Sequence, residues 1–138
     1  MTLVDASAIA KLVLNEEGHD KAAALFEKQL SLGKRVMTVN LALPESLNAI
    51  WKHHVLKKEL SEAEFDGAVS DAIKIFNRLE KINDQKIAKY ASSLAARNRM
   101  SVYDAFYLAG SITESAPLLT FDGPLREKAE RIGVVVLR

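Results

Sequence analysis

The chain has 138 residues and no cysteine, and its 19 lysines and arginines against 18 acidic residues give a formal net charge of +1. This length fits one globular domain with a single core, predicted here to span residues 1–138. Hydrophobic residues make up 49% of the chain and charged residues 27%, which excludes a disordered protein. The missing cysteines exclude a disulfide framework and thiolate metal sites, and the balanced charge excludes a globally basic nucleic-acid coat protein.

The amino terminus lacks the features of a secretory signal, because Asp5 comes early and no basic stretch precedes an apolar run. No apolar run approaches the roughly 20 residues that are needed to cross a bilayer. We therefore expect a soluble, cytoplasmic protein with no membrane partner.

Four short apolar runs, rich in β-branched residues, predict strands: Leu3–Val4, Val36–Val39, Leu118–Phe121 and Val134–Leu137. Apolar and polar residues do not alternate in these runs, which is typical of parallel strands that are covered on both faces. A further strand between Leu79 and Ile82 stays open, since the same residues also fit the end of a helix.

Between the strands, apolar residues recur every three or four positions, which predicts amphipathic helices. Ser61 and Glu64 form a capping box before one helix, Asp84 is predicted to cap the next, and Gly133 to end the last. The predicted helices are centred on Ala22–Leu30, Leu47–Val55, Phe65–Leu79, Ile87–Ala95, Ala105–Ile112 and Leu125–Ile132. This order predicts an α/β fold with a short parallel β-sheet flanked by helices.

Four acidic residues map to one edge of the predicted sheet. Asp5 and Asp122 directly follow predicted strands, whereas Glu45 and Asp104 open predicted helices. Because the carboxyl ends of parallel strands meet at one edge, we expect these carboxylates to lie close together. Each one alone also has a structural explanation, as an acid in a first helical turn or as a turn-forming residue.

Clustered carboxylates repel one another, so a fold tolerates them chiefly when cations neutralise their charge. Oxygen ligands select hard ions such as Mg²⁺ or Mn²⁺, and such an ion activates water and stabilises the charge that develops on a phosphodiester. The cluster therefore predicts a nuclease. The chain contains no Gly-rich phosphate loop, and its three histidines form neither a metal-binding pair nor a catalytic triad.

Four segments resemble motifs of the PIN-domain family of metal-dependent ribonucleases, and in particular of the small toxins of VapBC-type toxin–antitoxin pairs. The segments are Leu3–Ser7, Pro44–Ala49, Val102–Ala109 and Leu118–Leu125, and the third is the most specific. The resemblance covers nearly the whole chain and implies a three-layer α/β/α fold and cleavage of RNA. It also implies a homodimer and a small cognate antitoxin as partner.

The matched motifs imply which residues form the site. Ser7 and Thr120 match hydroxyl residues that support it, although Ser7 equally fits an N-cap and Thr120 fits ordinary strand propensity. By the same match, the catalytic acids around Mg²⁺ or Mn²⁺ are Asp5, Glu45, Asp104 and Asp122.

Two basic regions are candidates for holding RNA phosphates. Arg97 and Arg99 precede Asp104 by seven and five residues, which places them near the expected site, and we predict that they bind RNA. The segment Trp51–Lys58 carries three lysines and no acid, but basic helical faces are commonly only solvated.

Two other classes of function stay open beside a metal-dependent endoribonuclease. A Mg²⁺-binding phosphoacceptor signalling domain would need adjacent acids after the first strand and a lysine after the last. Here Ala6 follows Asp5, and the run Val134–Leu137 contains no lysine. A catalytically silent interaction module would use the same pocket only to bind a partner.

Overall fold

The structure is a computed structural model that describes all residues from Met1 to Arg138. It contains one sheet of four parallel strands, each two to four residues long. In chain order the strands are β1 (Thr2–Val4), β2 (Val36–Val39), β3 (Glu80–Ile82) and β4 (Leu118–Leu119). Their order across the sheet is β3-β2-β1-β4, so β1 lies inside the sheet and β3 and β4 form its edges.

Seven α-helices connect and cover these strands. They are α1 (Ala6–Val13), α2 (His19–Ser31), α3 (Ala42–Trp51), α4 (Glu62–Arg78), α5 (Asp84–Asn98), α6 (Val102–Thr113) and α7 (Gly123–Arg131). A π-helical turn, Lys52–Leu56, continues α3. Helices α1 to α4 pack against one another, whereas α5 packs along α6, which contacts β1, β2 and β4. The predicted α/β fold with a short parallel sheet is confirmed, and no helix has both the length and the apolar character of a membrane span.

The sequence analysis left Leu79–Ile82 undecided between a strand and a helix end, and the structure shows the edge strand β3 there. Glu80 and Lys81 are exposed there, and the Glu80 carboxylate pairs with the Arg35 guanidinium. Charged side chains are common on edge strands, where they discourage pairing with another chain.

The predicted strand Val134–Leu137 is confirmed only as an isolated bridge. Val136 bridges to Leu118 in parallel, since the Leu118 N–H donates to the Val135 carbonyl and the Leu137 N–H donates to the Leu118 carbonyl. Val135 is 67% exposed, so the run is not covered on both faces as predicted. The neighbouring strand β4 ends at Leu119, two residues before the predicted end at Phe121.

Helix ends mostly follow the predictions. The capping box of Ser61 and Glu64 is confirmed, and Gly133 follows α7 with a φ of +84° that favours glycine. Asp84, however, does not cap α5, because the side chain of Asn83 accepts the hydrogen bond from the helix. The Asp84 carboxylate instead accepts hydrogen bonds from the backbone N–H groups that follow β2, those of Asn40 and Leu41.

Helix α6 approaches the sheet closely at Gly110. A Cβ atom there would lie 2.8 Å from Cδ1 of Leu3 and 3.1 Å from Cδ1 of Ile82, both of which are strand residues. Because Leu3 is fully buried, it has little room to move aside. The missing side chain of Gly110 therefore sets how near α6 lies to the strands.

Candidate active site

Asp5 lies at the carboxyl end of β1 and is almost fully buried, with 3% of its surface exposed. It caps α1, because its Oδ1 accepts a hydrogen bond from the backbone N–H of Ala8 at 2.9 Å. The Ser7 hydroxyl lies 2.7 and 2.9 Å from the two carboxylate oxygens, and the Thr120 hydroxyl donates to Oδ2 at 2.5 Å. Hydroxyl and amide groups, rather than a lysine or arginine, thus solvate this buried charge.

The same two hydroxyl groups join β1 to the loop after β4. Ser7 Oγ accepts a hydrogen bond from the N–H of Phe121 at 2.8 Å, and Thr120 Oγ1 accepts one from the N–H of Asp122 at 3.0 Å. The N-cap alternative for Ser7 is wrong, because Asp5 caps α1. Thr120 lies beyond the end of β4, so strand propensity does not explain it either.

Glu45 lies in the first turn of α3, and its Oε1 atom is buried without a hydrogen-bond partner. The buried hydroxyl of Tyr107 lies beside the Glu45 carboxylate and the backbone of Ala6, but it forms no well-directed hydrogen bond to either. Burial, followed by the charges of Glu45 and Asp5, raises the pKa of Tyr107 above its ordinary value. The hydroxyl therefore keeps its proton and can donate it in a hydrogen bond towards Glu45.

Asp104 is the third residue of α6, whose N-cap is Ser101. Its carboxylate forms an ion pair with Lys128 of α7, with 2.7 Å between Asp104 Oδ2 and Lys128 Nζ. Both side chains are about one quarter exposed. One acid of the four thus has a cationic partner within the chain.

Asp122 caps α7 and is exposed, and its Oδ1 accepts a hydrogen bond from the N–H of Leu125 at 2.9 Å. The predicted turn-forming role of this residue is therefore present. It does not exclude a second role, because the Asp122 charge also acts on Asp5 and Glu45.

Electrostatic repulsion among the acids is centred on Glu45, because the charges of the other three act on its carboxylate. Burial raises the pKa of Asp5 to about 6, its hydrogen bonds oppose this shift, and the charge of Asp122 adds to it. Burial also raises the pKa of Glu45 to about 7, and the charges of Asp104, Asp5 and Asp122 raise it further. The other three acids that the sequence analysis selected thus all lie within electrostatic range of Glu45.

A cavity of about 450 Å³ lies at this edge of the sheet and is lined by Ser7, Glu45 and Asp122 among others. The acidic and hydroxyl side chains that line it offer oxygen ligands, and Oε1 of Glu45 lacks a partner, so the chemistry of these groups fits a hard divalent cation. The acidic side chains do not converge on a single point, since no three histidine or acidic side chains are placed to hold one ion. The residues present therefore match a divalent cation in the type and charge of their ligand atoms, but these atoms are not arranged around one position.

The two predicted RNA-binding arginines lie outside this cavity. Arg97 is exposed in the last turn of α5, and its Nε donates to the Ser93 carbonyl at 3.4 Å. Arg99 ends α5 in the left-handed conformation, with a φ of 51°, and is exposed two residues before the N-cap of α6.

Two residues near the acids were missed by the sequence analysis. Tyr107 lies one helical turn after Asp104, and this spacing alone predicts that both occupy one face of α6. Lys128 follows Asp104 by 24 residues, so no local pattern relates the two.

We expect the metal-free protein to lose stability as the pH rises from about 4 to about 7. The folded state holds protons on Asp5 and Glu45 that the unfolded chain has already released, so ionisation of these two groups opposes folding. When unfolding by urea is measured in EDTA across this pH range, the free energy of unfolding should fall less for Glu45→Gln than for the parent. The exposed acid of α7, in Glu127→Gln, is the control and should leave the fall unchanged. If the stability of the parent and of Glu45→Gln falls equally with pH, ionisation of Glu45 does not oppose folding and the prediction is wrong.

Comparison with known proteins assigns the chain to one family. The sequence model of the PIN domain matches residues 2–131. Ribonuclease VapC3 of Pyrobaculum aerophilum is 34% identical over 126 residues, which are 91% of this chain and 92% of the relative.

Two solved structures share the fold at lower identity. The VapC20 toxin of Mycobacterium tuberculosis, described as cleaving the sarcin-ricin loop, has a TM-score of 0.69 at 21% identity and covers 100% of this chain and 99% of its own. A toxin–antitoxin complex from Klebsiella pneumoniae has a TM-score of 0.67 at 17% identity, covering 99% of this chain and 97% of the other. With its parallel sheet, its four gathered acids and these matches, the chain belongs to the PIN-domain family.

Proposed function

We propose that this chain is a metal-dependent endoribonuclease that hydrolyses RNA phosphodiester bonds in the cytoplasm as the toxin of a toxin–antitoxin pair. The supporting observation is that the Glu45 carboxylate lies within electrostatic range of three other acids, of which only Asp104 has a cationic partner, in a PIN-domain fold. Ribonuclease activity is the named function of the relative that is 34% identical. We further propose that residues 1–138 form a single nuclease domain.

We propose that four acids hold Mg²⁺ or Mn²⁺: Asp5, Glu45, Asp104 and Asp122. The unpartnered Oε1 of Glu45 and the raised pKa values of Asp5 and Glu45 support this assignment, because a bound cation would give the oxygen a partner and would favour the ionised form of both buried carboxyls. When bound, the ion would neutralise charge that develops on the scissile phosphate and lower the pKa of an attacking water.

Other side chains would hold these acids in place. The hydroxyl groups of Ser7 and Thr120 fix the rotation of the Asp5 carboxylate, and Lys128 fixes that of Asp104. Such supporting contacts reduce the reorganisation that is needed when the charged substrate arrives.

Thermal melts test the metal site and separate the three candidate functions. Excess Mg²⁺ or Mn²⁺ should stabilise the parent by about 2.7 kcal/mol at a hundred times the dissociation constant, because only the folded state binds the ion. Asp104→Asn should lose most of this gain and should not cleave RNA, whereas the control Glu127→Gln should keep both.

EDTA should abolish cleavage by the parent. In EDTA the melting temperature of Asp104→Asn should stay near that of the parent, because the lost contact to Lys128 is offset by weaker repulsion of Glu45.

A metal-stabilised protein that cleaves no RNA would favour the phosphoacceptor alternative. A protein that neither binds metal nor cleaves RNA would favour the silent interaction module.

We propose that Arg97 and Arg99 bind RNA phosphates. Both are exposed at the end of α5, next to the helix that carries Asp104. The double variant Arg97→Ala, Arg99→Ala should weaken binding to all RNA sequences alike and should flatten the dependence of binding on salt concentration. The double variant Lys86→Ala, Lys89→Ala, near the start of the same helix, is the control. An unchanged salt slope in the arginine variant would remove these residues from the binding site.

We propose that the chain forms a homodimer and binds a small antitoxin. Apolar side chains on and around α3 and α4 are exposed, which usually marks a partner surface, and they are Trp51, Val55, Leu56 and Ile73. A toxin–antitoxin complex of the same fold supports the antitoxin. Light scattering at tens of micromolar should return the mass of a dimer, and a monomer mass would contradict the dimer.

A further inference from the structure

We propose that Tyr103 is a stacking platform for an unpaired RNA base beside the cleaved bond, and that Lys52 holds a backbone phosphate across the same cavity. This inference rests on the proposed function and assigns two residues to the positioning of its RNA substrate. It assigns a base-binding subsite in addition to the four acids.

Tyr103 is the most exposed aromatic residue of the chain, with 62% of its surface accessible. It is the second residue of α6, directly before Asp104, and it lines the 450 Å³ cavity together with Glu45 and Asp122. A single exposed aromatic side chain is ordinary on a protein surface. This one lines a cavity that two of the acids also line, where a bound nucleotide chain would pass.

Lys52 is the only basic residue that lines this cavity. It is exposed, and none of the ion pairs of the chain includes it, although two acids line the same cavity. It begins the π-helical turn after α3, which is closed by the hydrogen bond from the N–H of Lys57 to the carbonyl of Lys52. Segments of π-helix are rare and often lie at functional sites. Because its ammonium group is exposed and forms no ion pair, Lys52 is available to bind a phosphate.

The two side chains divide the recognition of a nucleotide between them. An aromatic ring stacks on the face of any base, and a lysine attracts any phosphate, so neither contact requires a particular sequence. In a duplex both faces of a base are covered by its neighbours, whereas a base in a loop or single strand can be splayed onto a ring. Only an unpaired base could therefore stack on the Tyr103 ring.

The chain offers matched controls for both residues. Tyr90 is also exposed but lines a separate cavity of about 620 Å³ with Ile112, at the other end of α6. Lys57 is exposed in the same basic segment as Lys52 but does not line the cavity of the acids.

The test is fluorescence anisotropy in EDTA, with labelled 12-nucleotide probes that the protein does not cleave without metal. The probes are oligoadenylate, oligouridylate and a ribose-phosphate chain of equal length without bases. Tyr103→Ala should weaken binding of oligoadenylate about 5- to 10-fold and of oligouridylate less, because purines offer the larger stacking surface. It should leave the probe without bases unchanged. Tyr103→Phe keeps the ring and should bind all three within about twofold of the parent.

Lys52→Ala should weaken binding of all three probes. The control variants Tyr90→Ala and Lys57→Ala should not distinguish the probes with bases from the probe without bases. Thermal melts check that the variants fold, and Tyr103→Leu, which keeps apolar bulk without a ring, replaces Tyr103→Ala if that variant does not. Unchanged binding of oligoadenylate by Tyr103→Ala, or an equal loss for the probe without bases, overturns the stacking platform.

A cleavage assay with added Mn²⁺ separates this inference from the proposed function. If the parent cleaves RNA and Tyr103→Ala binds and cleaves equally well, the stacking platform is wrong and the nuclease stands. If the parent cleaves no RNA but binding depends on Tyr103 as expected, the base-binding subsite stands and the nuclease is wrong.

Discussion

The buried carboxylate of Asp5 is the constraint on which the site depends. It is 3% exposed and has no lysine or arginine beside it, so its charge must be met by hydrogen-bond donors. Ser7 and Thr120 provide these donors, and they also accept hydrogen bonds from the N–H groups of Phe121 and Asp122. The group that anchors α1 therefore also positions the loop that begins α7.

This arrangement places function and stability in opposition. Burial raises the pKa of Asp5 and Glu45, and the neighbouring acids add to it, so holding like charges together lowers the net free energy of unfolding. Lys128 relieves this repulsion at Asp104 alone. A core this well filled can tolerate such a cluster, and a site that awaits a cation is where such strain is expected.

The sequence predicted the fold well where periodicity or burial leaves a clear pattern. The interior strands β1 and β2 and the amphipathic helices have such patterns, but Glu80 and Lys81 of the edge strand β3 are charged and exposed. Conversely, Val134–Leu137 has the composition of a strand but pairs with β4 only around Leu118. Composition alone does not say whether a partner strand is within reach. For the site, the four acids could be predicted because parallel strands end at one edge of a sheet. The ion pair with Lys128 and the orientation of the Tyr107 hydroxyl could not, because they depend on how α6 and α7 pack.

The close approach of α6 at Gly110 has a consequence for redesign. Asp104 and Tyr103 lie at the start of this helix, and Gly110 lies near its end, against Leu3 and Ile82. A helix moves largely as a rigid rod, so a methyl group at this distant contact would tilt the helix and shift both residues relative to the strand ends. Mutant libraries that aim to change RNA preference should therefore vary the residues that line the cavity and keep Gly110 unchanged. A substitution at Gly110 would change the apparent specificity although this residue does not contact the substrate.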